Sequence, residues 1–176
     1  MQRSYFEGGS SRPITSWNGF PVYATTIIVV SHVAMLILSA FPGQGFVSQL
    51  LGFNTVSVVK GHEFWRIATY GIANDIGNSG WIWMLVGLFF LYRFGLEVEN
   101  LLGRPQYLGL YATLWFLAPI AALIFAFAGP VTLLGASIVH MGIFIAFTTI
   151  YPGVILFFGV TSRLLAIISI GFQTLY

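Results

Sequence analysis

The stretch VYATTIIVVSHVAMLILSAF, residues 22–41, runs for 20 residues without one charged side chain. A helix that long rises about 30 Å, the thickness of one hydrocarbon core. Secretory leaders carry a shorter apolar region, about 7–15 residues, and begin it nearer the start. The stretch therefore reads as a first transmembrane helix, and the remainder agrees. The chain has 176 residues, 57% hydrophobic and only 7% charged, against about 25% charged in soluble domains. So few charges cannot coat a globule of this size. The expected fold class is all-α, a polytopic helix bundle with the lipid bilayer as its first partner. A net charge of +2 gives no basic surface, so no nucleic-acid partner is expected. Without cysteine there is neither a disulfide framework nor a thiolate metal site.

Working outward, residues 1–20 are polar and rich in Gly and Ser, and are expected to form a flexible arm preceding a membrane domain over 21–176. Pro42 to Gly80 is a long mixed connection. Its stretches GFVSQLLGF and HEFWRIATY are too short to span and suit interfacial helices, with Trp65 and Tyr70 at headgroup level. Three further spans are expected: Trp81–Tyr92 with Arg93 snorkelling, Tyr107–Ala128 kinked at Pro119, and Val131–Ile150. A last apolar stretch begins at Leu164 and reaches Tyr176 after 13 residues, short of the roughly 20 a crossing needs. It is expected to be an incomplete span, from a domain truncated at its C-terminus. With the N-terminus inside, Arg3, Arg12, Arg93, Arg104 and Arg163 face the cytoplasm and only Lys60 and Arg66 lie outside, as the positive-inside rule prefers.

LLGASIVHMG, residues 133–142, places Ser137 and His140 in an otherwise apolar span. Ser137 lies six residues beyond Val131, about 9 Å along a helix, deep enough for a water-filled pocket open to the outside. Two readings compete. A membrane-helix serine commonly bonds the carbonyl four residues back, here Leu133, or joins two helices. Alternatively it is a nucleophile. Positions i and i+3 adjoin on a helix, but a hydrolytic base needs an orienting third group, and the span holds no carboxylate. His140 is therefore expected to bond a neighbouring helix, as is His32. Gly142 with Ala146 offers a small face for close packing. HEFWR, residues 62–66, begins like the zinc motif H-E-x-x-H, but Arg66 stands where the second histidine belongs, so no metal and no cofactor are expected.

At these residues the sequence resembles the rhomboid family of intramembrane serine proteases, from about Trp65 to Ala166. FWRIATY is similar to the family's W-R-x-x-T-Y stretch, and FLYRFGLEVENLLG to its F-G-x-x-x-E segment with Gly95 and Glu99 in place. YLGLYATLW resembles the start of the third helix. GASIVHMGIFIAF resembles the nucleophile helix, with Gly135, Ser137 and Gly142 at the family spacing, and YPGVILFFGVTSRLLAI continues likewise. The resemblance implies a rhomboid-like bundle with five spans visible here and a sixth to follow. It implies Ser137 as nucleophile, a base histidine on that sixth helix, and a multi-pass protein of a bacterial inner membrane with a cytoplasmic N-terminus. Two departures stand out. The family often carries a His and an Asn on the second helix that help bind the oxyanion, and Trp83 and Gly87 occupy those positions. Ile138 replaces the usual glycine after the serine.

Two functions therefore stay open: an intramembrane serine endopeptidase, not competent in this sequence alone, or a rhomboid-like protein without catalysis. The first acts on transmembrane substrates; the second binds transmembrane helices of clients or joins a larger membrane complex. A transporter is a weaker third, because only His32 and His140 put ionisable groups inside spans.

Overall fold

The computed structural model describes residues 12–40, 45–73 and 80–154 and the isolated positions 161 and 167; the side chains at 80, 81 and 83 lie outside that description. Part of the expected arm is an ordered hairpin. β1 (Thr15–Trp17) pairs antiparallel with β2 (Phe20–Val22). Asn18 and Gly19 turn between them with φ of 49° and 82°, the left-handed pair that matches strand twist in a two-residue turn. One residue later α1 (Ala24–Ser39) begins.

The long connection is built of short pieces: α2 (Phe46–Leu51), β3 (Phe53–Asn54), α3 (Thr55–Val59), α4 (Arg66–Thr69) and a 3-10 turn at Tyr70–Ile72. The W-R-x-x-T-Y residues explain its order. Helix α2 ends with carbonyls that have no helical partner. Arg66 Nη1 donates to Gln49 O and to Gly52 O, both at 2.6 Å, Thr69 Oγ1 donates to Leu51 O at 2.9 Å and Trp65 Nε1 to Leu50 O at 3.3 Å. The guanidinium is itself paired to Glu63. Tyr70 departs from expectation. It is buried rather than placed among headgroups.

Helix α5 (Gly80–Leu102) runs well past the Tyr92 expected as its end. Arg93, expected to snorkel, pairs with Glu97 one turn on, at 2.6 Å. Leu88, Leu91, Phe94 and Val98 follow the 3.6 period and supply one buried stripe, which packs with Ala24, Tyr107, Ile143 and Phe147 into the main core. After a turn at Gly103 (φ 81°) comes α6 (Arg104–Ile124), with Pro105 in its first turn, where no amide donor is needed. It is long and apolar enough to cross a membrane. α7 (Ser137–Ile150) closes the described chain, and α1, α6 and α7 all pack on α5. The apolar stretch from Leu164 lies outside the described residues apart from Ile167.

Two close approaches set the packing. A Cβ on Gly95 would sit 2.9 Å from the Tyr107 hydroxyl and 3.0 Å from Thr25, and one on Gly142 would sit 2.6 Å from Leu114. The small face expected at Gly142 therefore lies against α6.

Between α1 and α5 the contact is electrostatic. Glu99, with no exposed surface, accepts from Ala24 N at 3.0 Å, Thr25 N at 2.8 Å and Thr25 Oγ1 at 2.7 Å. A carboxylate is favoured at a helix N-terminus, where free amides and the helix dipole both attract it. Glu99→Ala leaves those donors buried without an acceptor, at about 1–3 kcal/mol each. The expected outcome is a loss on the order of 3 kcal/mol in detergent unfolding, with Glu99→Gln losing less because one acceptor remains.

Candidate functional site

The site is built around the start of α7, and here the structure corrects the expected span. Val131–Ile150 is not one helix. β4 (Thr132–Leu133) is extended and pairs antiparallel with β3, Phe53 opposite Leu133 and Asn54 opposite Thr132. Val131 exchanges bonds with Thr55: Thr55 N donates to Val131 O and Val131 N donates to Thr55 Oγ1, both at 3.0 Å. Asn54 adds a side-chain bond to Thr132 Oγ1 at 3.0 Å, while its Oδ1 caps α3. Gly135 N then donates to Tyr70 O at 2.9 Å. Gly135 has φ of 73°, the left-handed region that L side chains avoid. The chain turns there, and the helix starts two residues later.

Ser137 is thus the first helical residue, not one buried six residues inside a helix, and a rise of 1.5 Å per residue does not measure its depth. It cannot bond Leu133 as a helical serine would, because Leu133 belongs to a strand. Its side chain is exposed, and it has no hydrogen bond among the described residues. Ala136 O accepts from His140 N at 2.9 Å, and no side chain caps the first turn. The leading amides of α7 are therefore free of intrahelical partners. Ile138 is also exposed, so the residue replacing glycine adds apolar surface beside the hydroxyl.

Tyr70 ties this region to α6. Pro119 has no amide proton, which leaves Trp115 O, four residues back, without its helical donor. The Tyr70 hydroxyl fills the gap, donating to Trp115 O at 2.7 Å. Burial pushes that hydroxyl up to about 12, so it stays protonated and remains a donor. Trp115 Nε1 returns a bond to Ala68 O at 3.0 Å. A Cβ on Gly71 would lie 2.3 Å from the Trp115 ring. Tyr70 and Gly71 of the 3-10 turn thus meet α6, and Tyr70 also holds the residues leading to Ser137.

The two interior histidines depart from expectation. His32 Nδ1 donates to Ile28 O of its own helix at 2.9 Å, rather than bonding a neighbour. His140 packs its ring against His32 with centroids 5.7 Å apart, and a Cβ on Gly87 would lie 3.2 Å from His140 Nδ1. Both Nε2 atoms are buried without a partner among the described residues. His140 turns toward α1 and α5 and has no bond to Ser137, so the structure does not join them as a dyad. Gly87 lies against that ring, while the Trp83 side chain lies outside the described residues. Among the described residues no three metal-ligating side chains cluster.

The sequence did not reveal the clip from Asn54 and Thr55 to Val131 and Thr132. One signal was available. Asn before a short apolar-polar run is a helix N-cap pattern, and that cap brings Asn54 to β4.

A family model described as Rhomboid domain matches residues 61–175, well over half of the chain. No curated protein matches the chain, and no solved structure does.

Gly135→Ala forces an L residue into the left-handed region at about 1–2 kcal/mol. Unfolding in detergent is expected to detect that loss. Gly109→Ala, on α6 with nothing within 4 Å of the new Cβ, is expected to be neutral or slightly stabilising.

Proposed function

Because the chain belongs to the rhomboid family, and is therefore an integral membrane protein, we propose that it carries the nucleophile of a serine-type intramembrane endopeptidase, with Ser137 in that role. The single observation behind the proposal is the position of Ser137: first residue of α7, exposed, unbonded, with uncapped amides beside it. α1, α5, α6 and α7 are the spans, and the connection of α2, β3, α3 and α4 covers the end of the bundle where Ser137 opens.

In the proposed reaction Ser137 Oγ attacks the scissile carbonyl of a transmembrane substrate. Its proton passes to a histidine base, and the carbonyl electron pair moves onto oxygen as a C–O bond forms. Backbone amides at the start of α7 hold that oxyanion. Collapse breaks the C–N bond, the protonated base gives its proton to the leaving amine, and water hydrolyses the acyl-enzyme. His32, His62 and His140 are the histidines of the sequence. His32 and His140 are turned into the bundle, and this reading takes the base from the sixth helix that the family resemblance implies. Glycine at position 87 supplies no side-chain donor. Loss of one such donor costs about 10²–10³ in rate, so turnover is expected to be slow.

A second reading has its own observation. Ile138, exposed beside Ser137, and Gly87, covered by His140, favour an inactive rhomboid-like protein that binds transmembrane clients through the same opening.

A fluorophosphonate probe applied to the full-length protein in its membrane separates the two. The peptidase predicts covalent labelling at Ser137, lost in Ser137→Ala together with substrate cleavage. Absence of labelling, with Ser137→Ala leaving client processing unchanged, contradicts it and favours the binder.

A further inference from the structure

The hairpin before α1 presents large apolar side chains at the surface of the described chain. Trp17 and Phe20 sit opposite each other across the Asn18–Gly19 turn, and each is 75% exposed. Ile14 is also exposed, and its amide donates to Val22 O at 2.7 Å, extending the pairing by one rung. The geometry that places these side chains is fixed by the left-handed turn and by the ladder, so they do not fold back on the bundle.

A second observation lies on the same end of the molecule. Arg104, the first residue of α6, donates from Nη2 to Arg12 O at 2.6 Å. Its Nε is buried without a partner, and the Arg12 side chain is exposed. Among the described residues the ion pairs are Arg66 with Glu63 and Arg93 with Glu97, so neither Arg12 nor Arg104 meets a carboxylate. Two arginines joined through this side-chain-to-backbone contact, neither meeting a carboxylate among the described residues, offer guanidinium donors to a phosphate group, which the planar fork of arginine binds in bidentate fashion.

Position decides what carries that phosphate. Only Tyr23 separates the hairpin from α1, whose apolar surface begins at once. A strand of three residues spans roughly 10 Å, comparable to the several ångströms of headgroup layer on each side of a bilayer core. Trp and Tyr side chains favour that layer.

We propose that the hairpin Thr15–Val22 with Arg12 and Arg104 is a binding site for the headgroups of anionic glycerophospholipids: Trp17 and Phe20 enter the layer and the two guanidiniums take the phosphate. The site depends on α1 entering the bilayer and is independent of catalysis at Ser137.

The test uses the native absence of cysteine. Trp17→Cys, carrying a polarity-sensitive fluorophore, is reconstituted into vesicles of phosphatidylcholine with and without phosphatidylglycerol. Expected are a blue-shifted emission, quenching by nitroxide lipids labelled near the headgroup, and protection from aqueous iodide. Spin-labelled phosphatidylglycerol should associate in preference to phosphatidylcholine. That preference should fall roughly fivefold for each arginine removed in Arg12→Gln and Arg104→Gln. Arg104→Lys keeps the charge but not the fork and should fall between the native protein and Arg104→Gln, whereas a merely loosened hairpin would leave the lipid preference of Arg104→Lys and Arg104→Gln equal. Iodide quenching equal to that of a free dye overturns the proposal. So does equal association of the two lipids, or an emission shift reproduced in detergent by inorganic phosphate alone.

Discussion

The start of α7 is fixed by backbone pairing, and the candidate site depends on that pairing. Six residues with the hydropathy of a membrane helix, Val131 to Ala136, are extended or turning because Asn54, Thr55 and Tyr70 take up their polar groups. Released from those partners, the same residues would satisfy their own amides by continuing the helix, and Ser137 would become an interior residue bonding back to Leu133. The connection between α1 and α5 is therefore not a passive linker. It holds a helix terminus open where an apolar environment would otherwise close it.

The same rule governs the rest of the bundle. Where lipid replaces water, each backbone polar group must find its partner within the protein. Pro119 would orphan Trp115 O, and Tyr70 reaches across to it. The N-terminus of α1 would leave amides free, and Glu99 takes them from the last turn of another helix. The carbonyls ending α2 are taken by Arg66, Thr69 and Trp65. These bonds join segments far apart in sequence, so they specify which elements adjoin as well as stabilising them. Nε2 of His32 and of His140 breaks the pattern, as do the Tyr107 and Tyr111 hydroxyls: on both pairs of facing rings polar capacity goes unused among the described residues.

Hydropathy and length made the helical class legible, and the order of short motifs made the family legible before any geometry. The helices Ala24–Ser39 and Arg104–Ile124 lie close to where the apolar runs Val22–Phe41 and Tyr107–Ala128 place them. Failures came where tertiary partners override a local pattern. A charge at Arg93 marks a boundary for the apolar run Trp81–Tyr92, whereas α5 continues to Leu102 with Arg93 paired to Glu97. Residues 15–20 read as part of a loose arm because hydropathy is blind to a two-residue turn, although Asn18–Gly19 is its usual composition. Ser137 stands out in the sequence by residue type and spacing, but its place at a helix start is hidden there. A strand pair of two residues on each side has no periodicity to detect. His140 could be set aside as a partner for Ser137 by chemistry alone. Its contact with Gly87 could not be foreseen.

The central claim is that water reaches the hydroxyl at the first residue of α7. In this chain without native cysteine, Ser137→Cys, Val139→Cys and Ile143→Cys can each be reconstituted and exposed to a membrane-impermeant thiol reagent. Ser137→Cys should react, while Val139→Cys and Ile143→Cys, fully buried in the bundle, should not. A folded Ser137→Cys protein as inert as the two buried positions would contradict it.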